Sequence, residues 1–326
     1  MASTRWRSWF LALLIVAGLF AAIVHWGEVR RFALLLQQSA PGWIAVALLL
    51  QLSTYVSVAA GWSAVLRRAN MRRPMQALMR IALTKLFADQ VLPSAGMGGN
   101  ILLVDQLRGL GVPKGAAVAT LLLSMIGFYA AYAVFALLTL VLLWLHDRAT
   151  PLMAATITLF LLVAFAIPAL ALWLRRRGNR RLPAGIGSIG FVRKLLETVA
   201  EAPAALLRDS RLILTVAACN AMIFVADAAT LFACLHGLNQ HVAFSTAFIA
   251  LIMASVVATL GPIPMGLGSF EATSVAMLHL LGVDLEPAFA ATMLLRLFTL
   301  WLPLIPGMVM IRSVGKKHRS PTGKSR

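Results

Sequence analysis

The sequence predicts an all-α polytopic membrane protein: about six full transmembrane helices plus two re-entrant helical hairpins, arranged as an inverted repeat. Three observations predict it. Hydrophobic residues make up 60% of the 326 and charged residues only 12%, against about 25% charged in soluble domains. A chain this apolar cannot cover itself with polar groups, so its solvent is lipid. Apolar runs also recur at lengths that cross roughly 30 Å of hydrocarbon. Finally, two Pro/Gly interruptions fall at matching places in the two halves.

The apolar runs cover residues 9–25, 42–66, 76–92, 115–145, 151–174, 212–236, 242–263 and 285–311, with shorter pieces at 98–110 and 268–281 behind glycine-rich turns. Arg5 and Arg7 precede the first run as in a secretory leader. The runs behind it are equally hydrophobic, so an uncleaved span is expected. Basic residues cluster at Arg67, Arg68, Arg72, Arg73 and Arg80, at Arg175, Arg176, Arg177, Arg180 and Arg181, and in the tail from Arg312. The positive-inside rule makes these clusters and both termini cytoplasmic; Arg30 and Arg31 are expected outside. These placements agree only if 76–111 and 242–282 turn back at mid-depth, the first from the cytoplasm and the second from outside.

The expected organisation follows. Residues 1–41 hold the first anchor and a short external segment, and 42–174 the first membrane repeat. Residues 175–211 form a basic cytoplasmic linker with an interfacial amphipathic helix at 191–202. The second repeat is 212–312, and 313–326 a basic disordered tail. The net charge of +18 suits anionic headgroups, and no nucleic-acid partner is expected. Cys219 and Cys234 lie about 22 Å apart on one helix at 1.5 Å per residue, too far for a disulfide. No zinc spacing occurs, and neither cofactor nor metal is expected.

Placing Pro93 on Pro264, an offset of 171 positions, pairs Val104 with Val275, Leu107 with Leu278, Gly111 with Gly282 and Val112 with Val283. An odd number of crossings between the copies inverts them. Broken helices meeting at the midplane of inverted repeats are a transporter architecture. Irregular backbone at membrane depth is tolerated only against protein or a wet cavity. Pro93, Gly96, Gly98 and Gly99 form the first turn; Pro264, Gly266 and Gly268 form the second. The half-helices behind them are expected to aim free N–H groups inward, as a seat for a lipid phosphate. The plainer alternative is that these residues serve tight helix packing.

Lys85, Asp89, Asp105, Asp227, Glu271 and Arg296 fall inside or beside apolar runs. Exposed to lipid, six such charges would cost on the order of 15–20 kcal/mol, so they must face one another or water. Lys85 and Asp89 are spaced to pair on one helix, and Glu271 is the expected partner of Arg296. Together these residues are the expected substrate-binding set, with proton coupling through Glu271 or Asp227. The alternative is a set of structural ion pairs.

Residues 92–101 (LPSAGMGGNI), with Leu107, Gly111 and Val112, resemble the first signature of the flippase-like transmembrane region of lysylphosphatidylglycerol synthases. Residues 264–272 (PMGLGSFEA), with Leu278, Gly282, Val283, Arg296, Trp301 and Pro303, resemble the second. The resemblance covers most of 40–312. It implies a bacterial inner-membrane lipid flippase whose partners are membrane lipids of the anionic phospholipid, hopanoid or glycolipid class, and lipid-biosynthesis enzymes. No stretch is long and polar enough for the synthases' aminoacyl-transferase domain. A stand-alone, non-enzymatic member is therefore expected. The alternatives are a membrane-embedded lipid-modifying transferase, for which Asp89 and Asp105 are the candidate carboxylates, and a scaffold of a lipid-synthesis complex.

Overall fold

The computed structural model describes residues 40–91, 97–145, 147–177, 203–261 and 266–303. The expected span at 9–25, the interfacial helix at 191–202 and the basic tail lie outside them, as do Pro93, Gly96 and Pro264. The described residues are all-helical. In order they form α1 (Pro41–Arg68), α2 (Met75–Val91), α3 (Met97–Gly109), α4 (Lys114–Leu145), α5 (Pro151–Arg177), α6 (Ala204–Arg208), α7 (Ser210–Gly237), α8 (Phe244–Leu260), α9 (Ser269–Leu280) and α10 (Leu285–Arg296). A π-helical turn, Leu297–Trp301, follows directly.

Helices α1, α4 and α7 are each long and apolar enough to cross a membrane, and only about a third of each is buried. The rest faces outward with side chains that water would not tolerate: Leu49, Val134, Trp144 and Leu214 are each at least 60% exposed. Such a surface fits a multi-pass protein in lipid, where apolar exposure carries no penalty.

The four helices from α1 recur from α7. Helices α1 and α7 each have 28 residues, α2 and α8 each have 17, and α3 and α9 have 13 and 12. The helix ends match chemically as well. After α1, Asn70 adopts φ 56° and the Met71 N–H donates to Leu66 O; after α7, Asn239 adopts φ 59° and Gln240 N–H donates to Leu235 O. After α3 and α9, Gly111 and Gly282 adopt φ 77° and 96°, while Val112 and Val283 donate to Leu107 and Leu278. All four ends are Schellman motifs, in which a left-handed residue lets the chain fold back onto the last carbonyls. The Gly-Val pairs of the sequence are therefore helix stops, with the valines buried behind them. The offset of 171 holds only after the turns. Before them it is 169, because the second turn is three residues longer and α9 one residue shorter than α3.

Ala should be costly at both stops, since the left-handed region disfavours a Cβ by about 1–2 kcal/mol. No atom stands within 4 Å of a Cβ built on Gly282, so there the cost is conformational alone. Thermal unfolding in detergent should show Gly282→Ala and Gly111→Ala destabilised alike. An unchanged midpoint for Gly282→Ala would contradict the assigned turn.

The equivalent helices α1 and α7 lie against each other, antiparallel, over their full length. At one end the Ala40 N–H donates to Gly237 O at 2.9 Å. At the other Arg68 Nε meets Asp209 Oδ2 at 2.6 Å. Asp209 also caps α7 by accepting from Leu212 N–H. The Arg68 guanidinium and that backbone bond hold its carboxyl below the usual range. Helices α4, α5, α8, α9 and α10 complete the main core around α7, where Tyr132 packs on Phe160 and Phe224, and Phe135 links Phe224 to Phe248.

Candidate functional site

Helix α9 begins in a glycine turn. Gly266 and Gly268 both have positive φ, and the helix starts at Ser269. One turn in, Glu271 reaches back: its Oε2 accepts from Gly268 N–H at 2.6 Å. This satisfies an orphan donor at the positive end of the helix dipole. Its other oxygen, Oε1, accepts from Arg296 Nε at 2.5 Å. Arg296 also donates to Gly266 O through Nη2 at 3.3 Å and lies over the Phe270 ring, 4.1 Å from the centroid. Both charged side chains are largely buried, 11% exposed for Arg296 and 16% for Glu271. A guanidinium suits this place because its planar fork serves two acceptors while its face stacks on an aromatic ring.

The first turn repeats the chemistry with different residues. Asp89 Oδ1 accepts from Gly99 N–H, at the start of α3, at 3.1 Å. Its Oδ2 meets Lys85 Nζ at 2.6 Å. Any Cβ on Gly99 would overlap the Asp89 carboxylate, so glycine is required for that approach. Each half-helix N-terminus thus carries a carboxylate, and each carboxylate a cation. These N–H groups were expected to be free; those of Gly99 and Gly268 are each taken by a carboxylate.

A cavity of about 340 Å³ opens beside the second turn. Its polar lining is Asp227 of α7, Ser255 and Thr259 of α8, and Arg296 and Thr299 around the π-helical turn; Gly266 and Phe270 close one side. π-Helical turns are frequent at functional sites, where they redirect side chains. Tyr132 of α4 shares a hydrogen bond with Thr259 at 3.3 Å. Behind Asp227, across the α1–α7 seam, are Gln51 and Tyr55.

The expected residues therefore divide. Gly266, Glu271 and Arg296 are brought together, with Gly268 at the same helix start and Asp227 across the cavity. Lys85, Asp89 and Gly99 form a separate cluster that does not line it. Gly98 lies in the first turn of α3, and Asp105 is exposed on α3, in neither cluster. Gln51, Tyr55, Ser255, Thr259 and Thr299 were not foreseen. The available signal was the spacing of Gln51 and Tyr55, which places two polar groups on one face of an apolar helix.

The family model described as the lysylphosphatidylglycerol synthase TM region matches residues 9–307. No curated protein matches the chain.

Proposed function

The chain belongs to the lysylphosphatidylglycerol synthase transmembrane-region family, and from that premise we propose that it moves a phosphate-bearing lipid headgroup between leaflets through the cavity beside Arg296. The observation that carries this reading is a buried guanidinium on the wall of a polar cavity beside the glycine turn that opens α9. A headgroup phosphate offers Arg296 anionic acceptor oxygens, as the Glu271 carboxylate does, and can take two of its N–H groups at once. Exchange between the two anions would let the headgroup be held and released without stranding either charge. The acyl chains stay in lipid, past the exposed apolar faces of α4 and α7.

In this reading the two four-helix units are inverted repeats, supported by the antiparallel packing of α1 against α7 and the matching helix stops. About six spans and two opposed hairpins give the two faces that alternating access needs. The protein sits in a bacterial inner membrane with both termini cytoplasmic. It makes and breaks no covalent bond, and enzymes of lipid synthesis supply its cargo.

The test is reconstitution into vesicles carrying fluorescent phosphatidylglycerol or a fluorescent neutral glycolipid, with an impermeant quencher outside. The phosphate-bearing lipid should become accessible much faster than in protein-free vesicles, and the neutral lipid much less so. Equal rates with and without protein, for both lipids, would remove the proposal.

A further inference from the structure

Among the described residues, four side-chain polar atoms are buried without a partner, and three of them belong to neighbouring groups: Gln51 Oε1, Tyr55 Oη and Asp227 Oδ1. Gln51 and Tyr55 are each 4% exposed and share one face of α1; Asp227 faces them from α7. The hydrogen bonds here can be matched, but a carboxylate charge cannot. The Gln51 amide nitrogen is directed at Thr54 Oγ1, 3.4 Å away. Its carbonyl and the Asp227 oxygen both need a donor; the amide's second N–H, which faces the Asp227 carboxylate, and the Tyr55 hydroxyl can supply them. Both donors are neutral, so an ionised Asp227 would stand in the seam with no charge to balance it, and a buried unpaired charge is costly.

A proton on Asp227 removes that charge. The carboxyl O–H can then donate to Gln51 Oε1 and the Tyr55 O–H to the other carboxyl oxygen, which leaves no ionised group among the three. Glu271 differs, since both its oxygens accept charge-assisted or N-terminal bonds and a proton there would break one. Of the other elements against α7, α4 brings the Tyr132 hydroxyl, engaged with Thr259. Helix α8 brings only Ser255 and Thr259, and α10 brings Arg296, already paired with Glu271. Helix α6 ends at Arg208, by the start of α7 and far along the helix from Asp227. Among the described residues, no cation outside the Arg296–Glu271 pair faces Asp227 to neutralise it in place of a proton. Asp227 also lines the cavity, which gives water a route to it.

We propose that Asp227, Gln51 and Tyr55 form a proton-binding site on the seam between the two repeats, loaded from the cavity, so that proton binding and release bias how α1 and α7 pack. This goes beyond lipid movement and rests on the cavity, not on its cargo. The coupling follows from position. The ionised carboxylate must be hydrated from the cavity, whereas the protonated one closes the seam dry.

Infrared difference spectra of the full chain in vesicles, taken between acid and alkaline pH, test the site. A protonated-carboxyl band should titrate in the wild type and in Glu271→Gln, vanish in Asp227→Asn, and shift in Gln51→Leu and Tyr55→Phe. A wild type with no titrating band would overturn the site, as would a band unchanged in Asp227→Asn. Should Asp227→Asn fail to fold, a band that ignores both Gln51→Leu and Tyr55→Phe would overturn it equally. A wild type that shows the band yet moves no lipid refutes the proposed cargo and leaves the proton site standing.

Discussion

Arg296→Met is expected to destabilise the protein by about 3–5 kcal/mol, the range for breaking a buried ion pair, and to abolish lipid movement. Arg296 leaves at least three partners behind. The Glu271 carboxylate keeps its Gly268 N–H but loses its cation, Gly266 O loses a donor, and the Phe270 face loses its stacked group. An uncompensated carboxylate at this depth is the largest of these costs. The double variant Arg296→Met/Glu271→Gln should therefore recover most of the lost stability, because a neutral amide can still accept from Gly268. It should not recover transport if Arg296 holds the headgroup. Thermal unfolding and vesicle assays on both variants separate the two roles. A double variant that regains both stability and transport would reduce the pair to a structural device.

Asp89→Ala is the second large effect, at about 3 kcal/mol. Losing a helix cap costs about 0.5–2 kcal/mol, and a charge without its partner in the membrane adds about 2.5–3.5 kcal/mol at most. Lys85 is 21% exposed and can reach outward in part, which trims the second term. Gly99→Ala should give a milder form of the same defect, since its Cβ would push the carboxylate off the N-terminus of α3. Lys85→Met alone should be worse than Lys85→Met/Asp89→Asn. An Asp89→Ala protein with wild-type unfolding would show that the first turn does not depend on this cap.

Much of this was legible in the sequence, for physical reasons that can be named. Lipid exposure dictates composition, so the membrane class was plain. Left-handed helix stops demand Gly or Asn, so the Gly-Val pairs at Gly111 and Gly282 carried the repeat into view. The equivalence of α1 with α7 was hidden. Apolar helices tolerate exchange among Leu, Val and Ala, and only the stops at Asn70 and Asn239 betray the offset of 169. Charges at depth must find partners, which pointed from Arg296 to Glu271 and from Lys85 to Asp89. What did not show was which elements would face each other. Asp227 lies far from Gln51 and Tyr55 in the chain, and only the antiparallel seam brings them together. The N-termini of α3 and α9 were expected to await a ligand. The carboxylates that fill them sit where helix geometry allows, Asp89 across the turn and Glu271 within the first turn of its own helix.

The most direct measurement is two-sided labelling of a single cysteine on the cavity wall. Thr259→Cys, in a protein with Cys219 and Cys234 replaced by alanine, would be exposed to an impermeant thiol reagent in right-side-out and in inverted vesicles. Passage of a headgroup through this cavity requires reaction from both faces, slowed in each by a phosphate-bearing lipid. Reaction from one face only, or from neither, would contradict it.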